Sequence, residues 1–363
     1  MKEQSIKPYD LCPCGSLKKY KFCCYQKKDI EFHNSNEVIA YVRKNKPKLS
    51  FCLHPDEHCS GDIIKSHSIQ NNKILSKLSV NSHVYSAGFN ANNLGGADLK
   101  RCGKNEATIS TCFCLHHDTE IFKNIELVNY EYTSEQNFLY AYRAFSKTYY
   151  DKKDELLFNR ITFQTSPNKC IQMGLLERIK GVELGVADNE EIRLLFNEAL
   201  DKEDFSILET ITLTLDYEIK FATTYMCPLS FDLKGNQINN VWSLDERMKN
   251  IFVSIFPESG KSYVLIGWLT SDHENFKEFA KQFTEIQEDE KTVINVLNNM
   301  VVCHSDNFAI SPSMVDNWDK DTKKFFLNEF TSTFIGMGNC ENVGQIIEKN
   351  FMNFPCKFNL FEH

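Results

Sequence analysis

The residues with the clearest chemistry are four cysteines near the N-terminus, arranged as two close pairs. Cys12 and Cys14 open the segment CPCGSLKKYKFCC, and Cys23 and Cys24 close it. Structural zinc sites use four ligands in a tetrahedron, commonly four cysteines or three cysteines and one histidine. Two pairs at the ends of this span can close that tetrahedron, because Gly15 permits a tight turn after the first pair. The sequence therefore predicts a zinc site. Because the segment is too short to have its own core, the metal would hold its fold.

A second set of four candidate ligands follows further along the chain. Cys52 and Cys59 lie in the segment FCLHPDEHC, and Cys114 and His117 lie where a strand-like run turns into a helix. A short knuckle plus a pair at a helix start is the geometry of a treble clef, and it predicts a zinc site of three cysteines and one histidine. The sequence leaves five rival ligands open: His54, His58, His116, Cys102 and Cys112.

Three lysines in the first segment alternate with aromatic residues. Lys18, Lys19 and Lys21 stand beside Tyr20 and Phe22. Cations interleaved with aromatic rings can contact nucleic acid or an acidic protein. In the alternative interpretation, the aromatic rings pack on the knuckle and the lysines are solvated.

The charge distribution points in the same direction. Residues 1–50 hold 11 Lys and Arg against 5 Asp and Glu, a net charge of +6, and the remainder holds 30 against 44, a net charge of −14. A basic N-terminal region on an acidic body can attract phosphate backbones or an acidic partner. A solvated basic face is the alternative.

Compartment and cysteine usage fit metal binding better than disulfides. No apolar run is long enough to cross a membrane and no apolar segment marks a secretory signal, so we expect a cytoplasmic protein. Thiols stay reduced there, and nine of the 14 cysteines lie at or before Cys114. Such clustering indicates metal binding. The scattered remainder are predicted to be small core residues: Cys170, Cys227, Cys303, Cys340 and Cys356.

The chain is predicted to be an α+β protein: an N-terminal zinc knuckle, a treble-clef ββα module, a helical segment and a C-terminal mixed α+β domain. The boundaries are a knuckle at 9–26, a basic connector at 27–50, a treble-clef module at 51–126, a helical region at 133–202 and an α+β domain at 205–363. The periodicity predicts the following elements: helices over Glu37–Val42, Leu115–Glu126, the stretch after a Thr133/Gln136 capping box, Leu175–Leu200 with a break near Gly185–Asp188, Glu274–Ile286, Asp289–Met300 and Asp319–Thr333; strands over Ala107–Cys114, Ile207–Leu215 and Ile219–Met226; and a hairpin of Ile251–Phe256 with Ser262–Leu269, turning at Gly260.

The first segment resembles the SEC-C motif, a small zinc knuckle named for the C-terminus of the bacterial preprotein-translocase motor ATPase. The match covers only about 15 residues and includes Cys12, Pro13, Cys14, Gly15, Ser16, Lys18, Lys19, Tyr20, Lys21, Cys23 and Cys24. Many members have histidine at the last ligand position, where this chain has Cys24. The resemblance implies an interaction module bound to zinc, and it leaves the chemistry of the remaining chain open.

The second region, 51–126, resembles the HNH endonucleases, a treble-clef family. There a histidine on the first strand is the general base and a helical residue binds a divalent metal that holds the scissile phosphate. By this resemblance His67 is the base, and Asp118 is the ligand for Mg²⁺ or Mn²⁺ at the position where the family usually has histidine. Magnesium prefers oxygen ligands, so a carboxylate suits that role.

This region also departs from the HNH pattern. The second strand has no asparagine to orient the base; Asn105 lies just before it, and Thr108 or Ser110 are imperfect substitutes. The spacing from His67 to Asp118 is longer than in the usual core. A catalytically inactive treble clef therefore remains an alternative.

The C-terminal half carries none of the phosphate-loop, nucleophile-elbow or metalloprotease motifs. Two pairs, Asp272 with His273 and His304 with Asp306, are candidate sites or ordinary surface residues. The leading hypothesis is a zinc-binding, nucleic-acid-associated protein with HNH-like, metal-dependent nuclease activity. The alternatives are a non-catalytic SEC-C adaptor that binds a protein or ribosomal partner, and a sensor whose site lies in the C-terminal domain.

Overall fold

The computed structural model describes residues 6–90, 96–172, 174–240, 243, 246–332 and 343–362. It confirms a mixed α+β protein with antiparallel sheets. No helix among these described residues is long and apolar enough to cross a membrane. The helices are α1 (Ser35–Asn45), α2 (Ser76–Leu78), α3 (Leu115–Glu126), α4 (Ser134–Thr165), α5 (Pro167–Gln172), α6 (Leu175–Lys202), α7 (His273–Ile286), α8 (Glu290–His304), α9 (Pro312–Val315), α10 (Lys320–Ser332) and α11 (Val343–Glu348). The strands are β1 (Ser66–His67), β2 (His83–Asn90), β3 (Gly96–Gly103), β4 (Ile109–Ser110), β5 (Leu208–Leu215), β6 (Phe221–Pro228), β7 (Asn250–Glu258), β8 (Lys261–Leu269) and β9 (Phe308–Ile310).

The chain divides into two compact units. The first comprises Met1–Ser50 and Tyr149–Arg193, and the second comprises Phe51–Thr148 and Leu194–His363. In the first unit the N-terminal cysteine segment shares one apolar cluster with α4, α5 and α6. Its members include Tyr20 at 5% exposure, and the others are Cys12, Cys24, Leu156, Phe163, Cys170, Leu176, Ile179 and Val182.

The second unit is built on a seven-stranded antiparallel sheet. The strand order is β3-β2-β9-β6-β7-β8-β5. Strands β7 and β8 form a tight hairpin that turns at Ser259 and Gly260, with φ angles of 54° and 86°. Positive φ at both turn positions matches the twist of the flanking strands, and glycine accepts it without strain. The core holds residues of the sheet together with residues of α7 and α8, which lie in the same apolar cluster.

A second, two-stranded sheet in this unit positions the candidate site. Strand β1 pairs antiparallel with β4, with His67 opposite Ile109. The segment before β1 continues along the same partner: Leu53 N–H donates to the Cys112 carbonyl at 2.9 Å, and Ile64 N–H donates to the Phe113 carbonyl at 3.1 Å. Helix α3 begins at Leu115, shortly after this ribbon, and Cys114 just before it forms a β-bridge with Ile63.

Most of the predicted elements are found. The helix bounds at Leu115–Glu126 agree with the prediction, and strands β5 to β8 and helices α7, α8 and α10 lie within a few residues of their predicted positions. Two expectations were wrong: α6 runs without a break past Gly185, and the strand expected over Ala107–Cys114 is only two residues long. Thr333, the predicted end of one helix, and Cys340 lie outside the described residues.

The β2–β3 hairpin and β9 were not foreseen. The hairpin lies within the region 51–126, between β1 and β4, and joins the large sheet through Tyr85 of β2 opposite Ile310 of β9. This insertion accounts for the long spacing between His67 and Asp118.

Candidate metal centres

The N-terminal cysteines meet at one point. The sulfurs of Cys12, Cys14, Cys23 and Cys24 all lie within 4.8 Å of one another, so this set could hold a metal ion. Two separations are 3.4 Å, between Cys14 and Cys23, and 3.8 Å, between Cys23 and Cys24. Four sulfurs about 2.3 Å from a central zinc stand about 3.8 Å apart; the Cys23–Cys24 separation matches this value and the Cys14–Cys23 separation is shorter.

Local backbone structure brings the two pairs together. Cys12 N–H donates to the Lys18 carbonyl at 2.8 Å, and a 3₁₀ turn over Tyr20–Phe22 presents Cys23 and Cys24. Gly15 has φ +75°, and a Cβ there would lie 2.8 Å from Cδ of Arg160. The positive φ of this turn therefore favours glycine, whereas the Arg160 side chain could move away from a Cβ.

The thiols of this set differ in environment. Burial raises the pKa of Cys12 to about 11 and that of Cys24 well above its ordinary value. Burial also acts to raise the pKa of Cys14, but hydrogen bonds with Ser16, Cys12 and Cys23 outweigh it and lower that pKa to about 7. Burying several thiols against one another is costly unless they share a cation, which is the chemistry of a zinc site.

The second predicted set also converges. The ligand atoms of Cys52, Cys59, Cys114 and His117 lie within 4.8 Å of one another. Nδ1 of His117 lies 3.3 Å from the sulfur of Cys52 and 3.2 Å from that of Cys114. A nitrogen and a sulfur on one tetrahedral zinc stand about 3.6 Å apart, so His117 would bind through Nδ1.

The start of α3 creates the second half of this set. Cys114 is the N-cap residue, and its sulfur accepts from the His117 N–H at 3.5 Å. Burial acts to raise the pKa of Cys114, but this bond and those with Ser60 and Cys59 lower it to about 6. Burial raises the pKa of Cys52 to about 12. The helix N-terminus thus favours a thiolate at a position where a metal would require one.

The rival ligands are engaged elsewhere. Cys102 lies 3.3 Å from the Ser86 hydroxyl, Cys112 lies 3.1 Å from that of Ser110, and His116 stacks on His58. His54 bonds through Nε2 to Asp201 at 3.0 Å. A third group close enough to hold a metal comprises His54, Asp56 and His117, and it shares His117 with the second set.

His67 and Asp118, the predicted catalytic pair, are both half-buried in polar surroundings. His67 lies on β1 and Asp118 in the first turn of α3. Each interacts electrostatically with the same two residues, Arg143 of α4 and Glu126 of α3, which form an ion pair at 2.6 Å. Nε2 of His67 is a buried atom with no hydrogen-bond partner among the described residues.

The electrostatics of this pair follow from burial and neighbouring charge. Burial lowers the pKa of His67, and the positive charges of Arg143 and Lys104 lower it further. The Lys104 backbone and the negative charge of Glu126 act in the opposite direction, but they only partly offset this. Burial raises the pKa of Asp118, partly offset by Arg143 and Ser66. At neutral pH the imidazole is therefore unprotonated and able to accept a proton.

The candidates for the missing asparagine behave differently from one another. The side-chain oxygen of Asn105 accepts from Asn71 at 2.8 Å, so it is occupied. Thr108 has φ 55°, which is rare for a β-branched residue, and its hydroxyl is buried without a partner among the described residues. A backbone group of Lys104 interacts with the His67 ring and acts to raise its pKa.

The lysines of the first set are exposed, as the binding hypothesis requires. The Nζ atoms of Lys19 and Lys21 each lie 5.3 Å from the centre of the Tyr9 ring, and Lys18 is also exposed. The two aromatic residues beside them divide, since Tyr20 is buried and Phe22 is 68% exposed.

The C-terminal candidate pairs form internal contacts. Asp272 pairs with Arg247 at 2.6 Å, and His273 pairs with Glu209 at 2.8 Å. Burial lowers the pKa of His304 to about 4. Cys170, Cys227 and Cys303 are buried and Cys356 is half-buried, which confirms the core assignment for the first three.

Sequence reasoning missed Asp56 and Arg143. Asp56 lies between the predicted ligands Cys52 and Cys59, in a run of charged and histidine residues, but nothing in the sequence indicated its contact with His117. Arg143 lies on α4, outside the region 51–126, and its sequence neighbourhood is an ordinary aromatic stripe. Comparison of the chain with protein-family models, with curated proteins and with solved structures finds no match.

Proposed function

We propose that the protein is a zinc-stabilised, nucleic-acid-associated phosphodiesterase of the HNH-like type, with its reaction centre at His67 and Asp118. The observation that carries the proposal is the unpartnered Nε2 of His67, a buried polar atom near the ionisable carboxyl group of Glu126. Buried polar atoms almost always have a partner, so this atom calls for an explanation, and a bound substrate, water or ion is one.

The roles of the residues follow from their surroundings. His67 is neutral at physiological pH because burial and nearby cations lower its pKa, so it accepts a proton from the attacking water. In this proposal the backbone at Lys104, which interacts with the His67 ring, orients it in place of an asparagine on β4. Asp118 supplies the oxygen ligand for a divalent ion, and such an ion, when bound, offsets charge on the phosphate.

The two zinc ions have structural roles in this proposal. The second set holds the knuckle 52–59 against the start of α3, and His117 is followed directly by Asp118. Zinc there fixes the first turn of the helix that carries the carboxylate. The basic N-terminal region, with Lys18, Lys19 and Lys21 exposed, would contact the nucleic-acid backbone.

The second candidate function is a non-catalytic adaptor. The observation that favours it is the exposure of apolar side chains on the knuckle: Leu17 is 84% exposed, Phe22 68%, Leu11 67% and Tyr9 60%. Leu17 also has φ 59°, an unfavourable conformation for leucine. An acidic protein with apolar anchors would match this surface.

Cleavage assays with His67→Ala and Asp118→Ala test the catalytic proposal. With Mg²⁺ or Mn²⁺, the wild type should nick plasmid DNA or cleave RNA, and each variant should be at least about 10²-fold slower, the usual contribution of a positioned base. His83→Ala, an exposed histidine on β2, and Glu120→Gln, exposed on α3, are the matched controls. All five proteins should contain the same zinc.

The pH profile separates catalysis from misfolding. Because the pKa of His67 lies below its ordinary value near 6.5, the acid limb of the rate should fall below that pH. Cleavage by His67→Ala at the wild-type rate would show that His67 is not part of a reaction centre. A wild type that cleaves neither nucleic acid with either ion would leave the adaptor as the better function.

A further inference from the structure

The imidazole of His117 has two different neighbours on its two nitrogens. Nδ1 faces the sulfurs of Cys52 and Cys114 at 3.3 and 3.2 Å. Nε2 lies 3.0 Å from Oδ1 of Asp56, whose carboxylate is one-third exposed. A nitrogen that binds a metal must present its lone pair, so the ring proton is on the other nitrogen and points at a carboxylate.

We propose that Asp56 positions His117 as the zinc ligand of the second set, by accepting the Nε2–H bond that fixes the ring's orientation and tautomer. The negative charge also makes the imidazole a stronger donor to the metal. This role concerns zinc affinity alone and stands whether or not the protein cleaves nucleic acid.

The loop itself holds Asp56 in place. Oδ1 accepts from the His58 N–H at 2.8 Å, and Oδ2 lies 3.3 Å from Nδ1 of His58. The Asp56 carbonyl accepts from the Cys59 N–H at 3.3 Å, which ties the carboxylate to the next ligand. These bonds within the loop hold the Asp56 carboxylate in place against the His117 ring.

A second metal ion between His54, Asp56 and His117 is the competing interpretation. The three donors are close enough for it. However, the 3.0 Å separation of His117 Nε2 from Asp56 is that of a charge-assisted hydrogen bond. His54 is 4.0 Å from Asp56 and bonds to Asp201 at 3.0 Å instead. A single metal ion bound to Nδ1 of His117, with Asp56 orienting the ring through Nε2, accounts for all the short contacts of this imidazole.

Zinc competition with Asp56 variants tests the proposal. We expect Asp56→Ala to weaken zinc binding at the second set by 10- to 100-fold, the usual effect of losing such a partner. Asp56→Asn keeps a neutral acceptor and should lose less. The matched control is Asp201→Ala, which removes a carboxylate from a histidine outside both four-ligand sets. Zinc in the Cys12–Cys24 set should be unaffected in every variant.

Nuclear magnetic resonance of protein labelled at histidine supplies a measurement that does not depend on variant folding. In the zinc-loaded wild type, His117 should carry its proton on Nε2, in slow exchange with water. Asp56→Ala should speed that exchange. A wild-type proton on Nδ1 would overturn the proposal, and so would equal zinc affinities for Asp56→Ala and Asp201→Ala.

Discussion

Glu348 gives the sharpest quantitative prediction, because it is a nearly buried carboxyl at the end of α11. Only 3% of the residue is exposed. Its carboxyl accepts from the backbone N–H of Ser230 and from that of Phe231, the latter at 3.3 Å. Burial raises the pKa of Glu348 to about 7 from its ordinary 4.5, and the two backbone donors only partly oppose this.

The sign of the effect follows from the raised pKa. The folded state binds the proton more tightly than the unfolded chain, so this contribution is complete below pH 4.5 and is lost as pH rises through 7. A difference of about 2.5 pH units at 1.36 kcal/mol each amounts to about 3 kcal/mol of unfolding free energy lost between pH 4.5 and 8. Glu348→Gln cannot ionise, so it avoids that loss.

Urea unfolding of wild type and Glu348→Gln at pH 5 and pH 8 measures the effect. Near pH 5 the variant should be no more than about 1 kcal/mol from wild type, and at pH 8 it should be more stable by about 3 kcal/mol. Glu278→Gln, exposed on α7, is the control and should show no such change. The same difference between wild type and Glu348→Gln at both pH values would refute the reasoning.

Two further predictions concern the metal sites. Elemental analysis of the purified protein should find two zinc ions per chain. The double variant Cys12→Ser, Cys14→Ser should contain one, and so should Cys59→Ser. A single zinc ion in the wild type would mean that one of the two predicted sites does not bind zinc. Tyr20→Ala should lower the unfolding free energy of the first unit by about 3 kcal/mol, because a buried aromatic side chain is lost from its core. An unchanged denaturation curve for Tyr20→Ala would mean that the knuckle does not pack as described.

Local signals in the sequence predicted those parts of the fold that are locally determined. Helix α3 begins after its N-cap residue Cys114, and the β7–β8 hairpin turns at Gly260. A few adjacent residues therefore determine where each of these elements starts or turns. The two four-ligand sets were also predictable, because metal ligands are few in type and come in close pairs. The structure brings the four predicted residues of each set close together, and the second set contains Cys114, as predicted, and not its rival Cys112.

Non-local pairing could not be predicted in the same way. Strand β9 is three residues long and pairs with β2 and β6, which lie more than 200 and about 80 residues earlier in the chain. Nothing in its own sequence names those partners. Asp56 was missed for a related reason, since its role depends on the ring of His117, which the chain reaches only after the whole β2–β3 insertion.

The N-terminal cysteine segment, 12–24, packs into the core of the first unit. The segment is too short to have a core of its own, and it shares one instead: Tyr20, Cys12 and Cys24 are buried in a cluster with Phe163 and other apolar residues of α4, α5 and α6. Two of the four candidate ligands, Cys12 and Cys24, are therefore core residues, and Cys14 and Cys23 are half-buried. Removing the metal would leave buried thiols crowded together inside that core, so chelation should destabilise the helices of the first unit as well as the knuckle.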